Sequence, residues 1–220
     1  MLKLYSIPGT SATVVTCALE ECGAEYQVVQ VERKNRDNPA EFKKVNPLGR
    51  VPALEHEGVQ LYETGAILLY LADLFGDKKL APEPGTAERT EFYKWIVYLA
   101  NTLHAAYGPY YVPGHYTKDE VGKEQISQAA RDRLLGIFEF INQQLEGNDY
   151  LVGNTFSLAD LYLHMLASPN WTMDMAENIK TLTNLQNFLD RIDQREAVVR
   201  ALQSHAKDKE LEKDGLLQIG

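Results

Sequence analysis

The sequence of 220 residues contains only two cysteines, Cys17 and Cys22, and both lie in one short apolar stretch. Their spacing matches neither a Cys-x-x-Cys redox pair nor a set of zinc ligands. Disulfide bonds are typical of secreted proteins and rare in reducing compartments. We therefore expect two buried, reduced thiols in a cytoplasmic protein.

Basic residues are too few to balance the acidic ones, because 22 Lys and Arg stand against 31 Asp and Glu, giving a net charge of -9. A nucleic acid or an anionic membrane would need a basic face. The longest charge-free run, residues 95–117, is interrupted by two prolines and does not predict a bilayer span. The five histidines show no metal-ligand spacing. These absences favour a small-molecule partner and predict no nucleic acid, membrane or metal.

Two parts of the chain differ in their hydrophobic pattern. Residues 1–80 alternate strand-like and helix-like segments in the order βαβαββα, whereas the residues after Thr86 are helical in pattern. The predicted strands are 2–6, 26–31, 52–54 and 59–61, and the predicted helices are 10–22, 39–45, 64–75, 88–111, 118–145 and 158–167, with two shorter helices after them. Residues 81–86 have the proline and glycine content of a linker. We therefore predict an α/β domain over residues 1–80, a linker over 81–86 and an all-α domain over 87–220.

The segment NPLGRVPAL, residues 46–54, places Pro52 at the start of a strand that should lie inside a sheet. A cis Val51–Pro52 bond would turn the Val51 backbone outward as an unpaired edge. Such an edge can pair with the main chain of a small peptide. The alternative is a loop proline that only shapes the turn.

Glu63 and Thr64 stand at the predicted start of the next helix, where free backbone amides attract carboxylates. Thr64 could hold a ligand carboxylate through its hydroxyl and N–H, while Glu63 could face an ammonium group. Residues of these types also cap helices for stability alone. Together with Val51 and Pro52, they predict a site for a short zwitterionic peptide.

Segments 3–11, 46–54, 63–73, 95–111 and 153–160 resemble the glutathione S-transferase superfamily, and the resemblance runs over roughly residues 1–205. Among its branches, the chain is most similar to the bacterial beta class. The resemblance implies a thioredoxin-like N-terminal domain followed by an all-α C-terminal domain, the glutathione transferase fold. It also implies a homodimeric cytoplasmic detoxification enzyme that conjugates glutathione, its co-substrate, to a hydrophobic electrophile.

By this resemblance, Val51 pairs with the cysteinyl backbone of glutathione, with Pro52 as the cis-proline. Glu63 and Thr64 hold the γ-glutamyl end. The candidates for the glycine carboxylate are Lys34, Arg36 and Arg50, although basic residues in loops are usually only solvated surface.

Ser11 stands at the start of the first helix, where the beta class has a cysteine. A hydroxyl there can donate a hydrogen bond to a bound thiolate, which stabilises the anion and lowers the thiol pKa. We therefore expect Ser11 to activate the thiol, with Thr10 as neighbour or substitute, and dithiol-type redox activity to be weaker than in the class. Ser11 could also only cap the helix. Tyr5 is the rival, because tyrosine-type transferases place their activating phenol at the end of the first strand.

His104 matches the beta-class histidine that helps to position the thiol or its water, although a lone histidine in a helix is more often structural. An apolar co-substrate could be lined by aromatic side chains that are otherwise core: Tyr107, Tyr110, Tyr111, Tyr116 and Trp171. Two alternatives to conjugation stay open. One is a specialised glutathione-dependent lyase, dehalogenase, isomerase or peroxidase, and the other is a binding protein without activity.

Overall fold

A computed structural model describes residues 1–32 and 39–213, the last eight of them by backbone alone. The chain forms two compact units. The first contains residues 1–81 together with the segment that begins at Asp193, and the second is Pro82–Ile192. The division between Ala81 and Pro82 lies inside the segment that the sequence predicts as a linker.

The first unit is built on a four-stranded sheet of β1 (Leu2–Ser6), β2 (Tyr26–Gln30), β3 (Ala53–His56) and β4 (Val59–Tyr62) in the order β2-β1-β3-β4. Strand β1 is parallel to β2 and antiparallel to β3, which pairs with β4 in a hairpin. Glu57 and Gly58 both have positive φ, as a two-residue hairpin turn of type I′ requires.

Three helices complete the βαβαββα order: α1 (Ala12–Cys22), α2 (Ala40–Val45) and α3 (Thr64–Leu74). Helix α1 ends at Gly23, which adopts the left-handed conformation that glycine takes most readily. The predicted fold class of this part is confirmed, and the observed bounds lie within two residues of the predicted ones.

The second unit is helical, as predicted. Its helices are α4 (Ala87–Tyr98), α5 (Ala105–Tyr111), α6 (Glu120–Gln144), α7 (Leu158–Ala167), α8 (Pro169–Thr172), α9 (Ala176–Lys180) and α10 (Thr183–Asp193). The helix predicted over 88–111 is present, but its backbone is π-helical over Leu99–His104, between α4 and α5. Pro109 lies inside α5, where it has no N–H to donate.

Helix α7 begins at a capping box. The Asp160 carboxylate accepts hydrogen bonds from the backbone N–H of Ser157 at 2.7 Å and from its hydroxyl at 2.9 Å. It also accepts from the backbone N–H of Leu151 at 2.8 Å, which ties the preceding loop to the helix. The Ser157 cap and the start at Leu158 agree with the sequence pattern.

The last helix, α11 (Glu196–Lys213), packs on α1 and therefore belongs to the first unit. Arg195, which precedes α11, forms an ion pair with Glu21 at the end of α1. Further along both helices, His205 Nε2 lies 2.9 Å from the Thr16 hydroxyl. No helix within residues 1–32 and 39–213 is long and apolar enough to span a bilayer.

Candidate functional site

The Val51–Pro52 peptide bond is cis, and β3 begins only at Ala53. Val51 therefore lies just before the strand, outside the paired part of the sheet. Its side chain packs with Phe42 and Val31 in a small core on one face of the sheet. The backbone of Val51 is thus placed at the end of a strand, as peptide pairing by an added strand requires.

Asn46 holds the turn that leads to Val51. Its side-chain amide donates to the Arg50 carbonyl oxygen at 2.6 Å and accepts from the Leu48 N–H at 3.0 Å. The side chain is only 2% exposed, and Gly49 supplies the positive φ of the turn. The sequence pattern included Asn46 but gave it no role. The signal for that role is the Asn-Pro pair followed by glycine, which is typical of a side-chain-stabilised turn.

Ser11 and Thr10 differ in how firmly their hydroxyls are held. The Thr10 hydroxyl donates to the Ile7 carbonyl oxygen at 2.7 Å and accepts from the Ala12 N–H at 3.3 Å. The Ser11 hydroxyl, in contrast, donates to the Val51 carbonyl oxygen at 3.4 Å, which is long for an O–H···O bond. Ser11 makes no side-chain cap of α1, so the alternative of helix capping alone does not describe its hydroxyl.

Tyr5 points to the sheet face that carries α2, where its ring lies 5.7 Å from that of Phe42. Its hydroxyl donates to Glu55 Oε2 at 3.2 Å, and Glu55 also pairs with Lys3. Burial raises the pKa of Tyr5, and the charge and hydrogen bond of Glu55 raise it further. The Tyr5 hydroxyl is therefore committed to a carboxylate.

Helix α3 begins at Thr64, and the residue before it, Glu63, has a φ of 72°. A positive φ is uncommon for a residue with a Cβ. Glu63 makes no side-chain cap of the helix, so it leaves the N–H groups of the first turn for another acceptor. Thr64 is buried, and Glu63 and Arg50 are exposed. Lys34 and Arg36 lie outside the described residues.

His104 ends the π-helical segment of the second unit. Its Nδ1 lies 2.7 Å from the Tyr162 hydroxyl, and its ring meets Trp171 edge-on, with ring centres 5.0 Å apart. A π-helical turn is often found where a helix carries function. The role predicted for His104 stays a prediction.

The five predicted pocket residues fall into two groups. Tyr107, Tyr110, Tyr111 and Trp171 form one aromatic cluster, with neighbouring ring centres 5.0 to 6.4 Å apart. Tyr107 is buried and donates to the Leu166 carbonyl oxygen at 2.7 Å, so it belongs to the core of this unit. Tyr116 is 59% exposed, and its hydroxyl lies over Gly108, 3.0 Å from where a Cβ would stand.

The cluster also holds the segment after α7 in place. The Tyr110 hydroxyl donates to Asp174, which also accepts from Arg131 Nε at 3.1 Å, while the Tyr111 hydroxyl donates to the Trp171 carbonyl oxygen. Burial and the Asp174 hydrogen bond raise the pKa of Tyr110 to about 12.

Among the described residues, no group of three or more His, Cys, Asp or Glu could hold a metal ion.

Comparison with known families finds two matches along the chain. A family model described as "Glutathione S-transferase, N-terminal domain" matches residues 1–73, and one described as "Glutathione S-transferase, C-terminal domain" matches residues 103–196. Together they cover most of the chain and agree with the order of an α/β part followed by a helical part.

Curated relatives include proteins named as glutathione S-transferases and proteins named as disulfide-bond oxidoreductases. Glutathione S-transferase GstA of Escherichia coli O157:H7 is 28% identical over 204 residues, which cover 91% of this chain and 97% of the relative. Disulfide-bond oxidoreductase YfcG of Escherichia coli K12 is 27% identical over 211 residues, which cover 92% of this chain and 94% of the relative.

Solved structures with the same fold include a sphingomonad glutathione S-transferase complexed with glutathione, at 33% identity and a TM-score of 0.79, covering 93% of this chain and 98% of that one. A bacterial beta-class enzyme from Sphingomonas chungbukensis has the same identity and TM-score, with 92% and 98% covered. The predicted resemblance to this superfamily and to its beta class is confirmed. The chain belongs to the glutathione S-transferase family.

Proposed function

We propose that this protein is a glutathione transferase that binds glutathione along Val51 and the N-terminus of α3, stabilises its thiolate through Ser11 and conjugates it to a hydrophobic electrophile. The observation that carries the proposal is the approach of the Ser11 hydroxyl to within 3.4 Å of the Val51 carbonyl oxygen. A cysteinyl backbone paired with Val51 would bring its thiol next to a hydroxyl donor.

Glutathione offers groups that match the first unit. The γ-glutamyl carboxylate fits the amides and hydroxyl at the start of α3, and its ammonium group fits the exposed Glu63 carboxylate. Arg50 is the candidate within the described residues for the glycine carboxylate. Lys34 and Arg36 stay candidates from the sequence alone.

Between the two hydroxyls at the start of α1, bonding favours Ser11. The Thr10 hydroxyl makes a short hydrogen bond to Ile7 and accepts another from Ala12, whereas the Ser11 hydroxyl makes one long bond. Tyr5 is disfavoured as well, because its hydroxyl donates to Glu55. Ser11 can therefore turn to a new acceptor at the lowest cost.

The reaction follows from this placement. The bound thiol loses its proton to solvent, and the Ser11 hydroxyl donates to the resulting thiolate. The thiolate attacks an electrophilic carbon, a carbon–sulfur bond forms, and the leaving group departs with the electron pair of the bond that breaks. Such catalysis depends on positioning and on stabilisation of the anion.

Conjugation of an aromatic halide such as 1-chloro-2,4-dinitrobenzene tests the proposal. We expect turnover by the wild-type chain, a fall of at least tenfold in kcat/KM for Ser11→Ala, and little change for Thr10→Val once folding is verified. Spectrophotometric titration of the bound thiol should give a higher pKa for Ser11→Ala. An unchanged pKa in Ser11→Ala together with a raised pKa in Tyr5→Phe would transfer the role to Tyr5.

A second candidate is disulfide reduction by bound glutathione, and the name of the relative YfcG favours it. The thiolate would attack one sulfur of a disulfide and release the other as a thiol. A second glutathione would then attack the glutathione sulfur of the mixed disulfide, which forms oxidised glutathione and releases the other half of the substrate as a second thiol. Measuring turnover of a small disulfide beside the aromatic halide separates the two, and the same series can include the predicted lyase, dehalogenase, isomerase and peroxidase substrates. Glutathione binding without any turnover would favour the non-catalytic alternative.

We also propose a homodimer. Each unit exposes large apolar side chains that a partner could cover: Val59 and Tyr62 on β4 of the first unit, and Tyr93, Val97 and Phe140 on α4 and α6 of the second. Exposed apolar groups of this kind are common at protein interfaces. Analytical ultracentrifugation should find a dimer, and a monomer with full activity would contradict this proposal.

We also propose that the protein is cytoplasmic and has a role in detoxification.

A further inference from the structure

Among the described residues of the first unit, the Ser11 hydroxyl has one acceptor, the Val51 carbonyl oxygen. Ser11 is only 7% exposed, and a buried hydroxyl that gives up its acceptor without a replacement destabilises the folded protein. The same carbonyl belongs to the residue whose backbone is proposed to pair with glutathione. The Ser11 hydroxyl and the cysteinyl N–H of glutathione could therefore both donate to the Val51 carbonyl oxygen.

Two other carbonyl oxygens of this turn, those of Asn46 and Arg50, already accept hydrogen bonds. Asn46 Nδ2 donates to the Arg50 carbonyl oxygen at 2.6 Å, and the Gly49 N–H donates to the Asn46 carbonyl oxygen at 2.8 Å. Val51, by contrast, stands before the first paired residue of β3 and receives only the long Ser11 bond among the contacts described. The easiest bond to exchange on this turn is therefore the bond from Ser11.

The exchange has a driving force once a thiolate is present. Hydrogen bonds to an ionised acceptor are roughly twice as strong as those between neutral groups. A hydroxyl that leaves a carbonyl at 3.4 Å for an adjacent thiolate gains energy, and an amide N–H at the carbonyl keeps that oxygen satisfied. Neither the Ser11 hydroxyl nor the Val51 carbonyl oxygen is then left without a partner.

We propose, on the basis of the function proposed above, that glutathione binding transfers the Ser11 hydroxyl from the Val51 carbonyl oxygen to the glutathione sulfur, because the cysteinyl N–H takes its place at Val51. Recognition of the peptide backbone and stabilisation of the thiolate are then coupled through one carbonyl group. A thiol without a correctly placed N–H leaves Ser11 bonded to Val51. The device thereby limits activation to peptide thiols of the glutathione type.

The test compares glutathione with its analogue methylated on the cysteinyl amide nitrogen, which cannot donate to Val51. The pKa of each bound thiol is measured from thiolate absorbance in the wild type and in Ser11→Ala. For glutathione, we expect Ser11→Ala to raise the pKa by about one to two units, the equivalent of one hydrogen bond to a charged group. For the analogue, we expect no difference between the two proteins. An equal rise for both ligands would overturn the proposal.

If the analogue does not bind, the affinity for glutathione at low pH tests the same exchange. At pH 5 the thiol is protonated, and the proposed exchange requires the wild type to break its Ser11–Val51 bond on binding glutathione, whereas Ser11→Ala has no such bond to break. Calorimetry should therefore find tighter binding to Ser11→Ala at pH 5, by about twofold or more, and weaker binding at pH 8. Equal or weaker binding at pH 5 would contradict the exchange.

Two controls keep the outcomes separate. Ser6→Ala removes another buried hydroxyl of the same unit, one for which the described residues provide no hydrogen-bond partner, and it should change neither the pKa nor the affinity. Failure of glutathione to bind the wild type in calorimetry would instead contradict the proposed function. A normal affinity with no Ser11-dependent pKa would contradict the role of Ser11 and with it the exchange, whereas an equal rise in pKa for both ligands would contradict the exchange alone.

Discussion

Glu21 and Arg195 are joined by two hydrogen bonds, from Arg195 Nε to Oε1 at 2.5 Å and from Nη2 to Oε2 at 2.9 Å, across 174 positions of sequence. The Glu21 side chain is only 10% exposed. The pair joins the end of α1 to the start of α11, and so makes the last helix part of the unit that carries Ser11. Helix α11 therefore supports the helix at whose start the proposed thiol donor stands.

Removing either partner should destabilise the protein. Arg195→Gln leaves the nearly buried Glu21 carboxylate with fewer donors, and we expect a loss of about 1–3 kcal/mol in the free energy of unfolding. The matched control is Arg200→Gln, whose pair with Glu20 is more exposed and is worth about 0–1 kcal/mol. Urea denaturation measures both losses. Equal losses would show that the Glu21–Arg195 pair stabilises the protein no more than an exposed ion pair does.

For some elements of this fold, the local sequence alone predicts where the element begins and ends. Helix α7 has the bounds that the sequence predicts, because Ser157 and Asp160 fix its start through bonds between near neighbours. The hairpin of β3 and β4 is likewise marked by Glu57 and Gly58. In both cases the signal lies within a few residues of the feature that it predicts.

Contacts between distant residues could not be predicted in this way. Glu21 and Arg195 each have the pattern of surface charges, and nothing local indicates that α11 returns to α1. The π-helical register of Leu99–His104 is not encoded by hydrophobic spacing either. In the candidate site, the residue types at positions 11, 51, 63 and 64 were recognisable, but the 3.4 Å approach of Ser11 to Val51 requires the folded chain.

The two cysteines should be inert in the folded protein. Burial is the largest cause that raises the pKa of Cys17 and of Cys22 to about 12, and the charge of Glu21 adds to it. At pH 8 almost no thiolate is present to react. Ellman's reagent should therefore label no cysteine in the native protein and both after unfolding in guanidinium chloride. Rapid native labelling would contradict the burial of α1 beneath its neighbours.

Asp160 should give the protein a distinct pH dependence. Burial raises the pKa of this carboxyl to about 6, against the opposing effect of the hydrogen bonds from Leu151 and Ser157. A group whose pKa is higher in the folded state binds more protons there, so its contribution to stability is largest below about pH 4 and falls as the pH rises to about 6. At neutral pH Asp160 is ionised, and the burial of its charge then lowers the stability of the folded protein.

The difference in unfolding free energy between the wild type and Asp160→Asn isolates this effect from other titrating groups. We expect the variant to be less stable throughout, because its amide nitrogen would face an N–H donor. The deficit should shrink by up to roughly 3 kcal/mol between pH 4 and pH 7, at about 1.4 kcal/mol per pKa unit. A deficit independent of pH would mean that Asp160 keeps an ordinary pKa.

The segment that carries Trp171 should loosen when its tie to α5 is removed. Met173 has a φ of 44°, a conformation that costs a residue with a side chain about 1–3 kcal/mol, and the bonds from Tyr110 and Arg131 to Asp174 hold it. Tyr110→Phe removes one of these bonds. We expect a loss of about 1 kcal/mol in stability and easier quenching of Trp171 fluorescence by acrylamide.

Two further variants test whether the bonds to Asp174 hold Met173 in its positive-φ conformation. Tyr93→Phe changes an exposed tyrosine of α4 and should leave quenching as in the wild type, since Trp95 is buried. Met173→Gly, which tolerates the positive φ, should recover part of the stability lost in Tyr110→Phe. If Met173→Gly destabilises the Tyr110→Phe variant further, the conformation at Met173 is not strained, and the bonds to Asp174 do not serve to hold it.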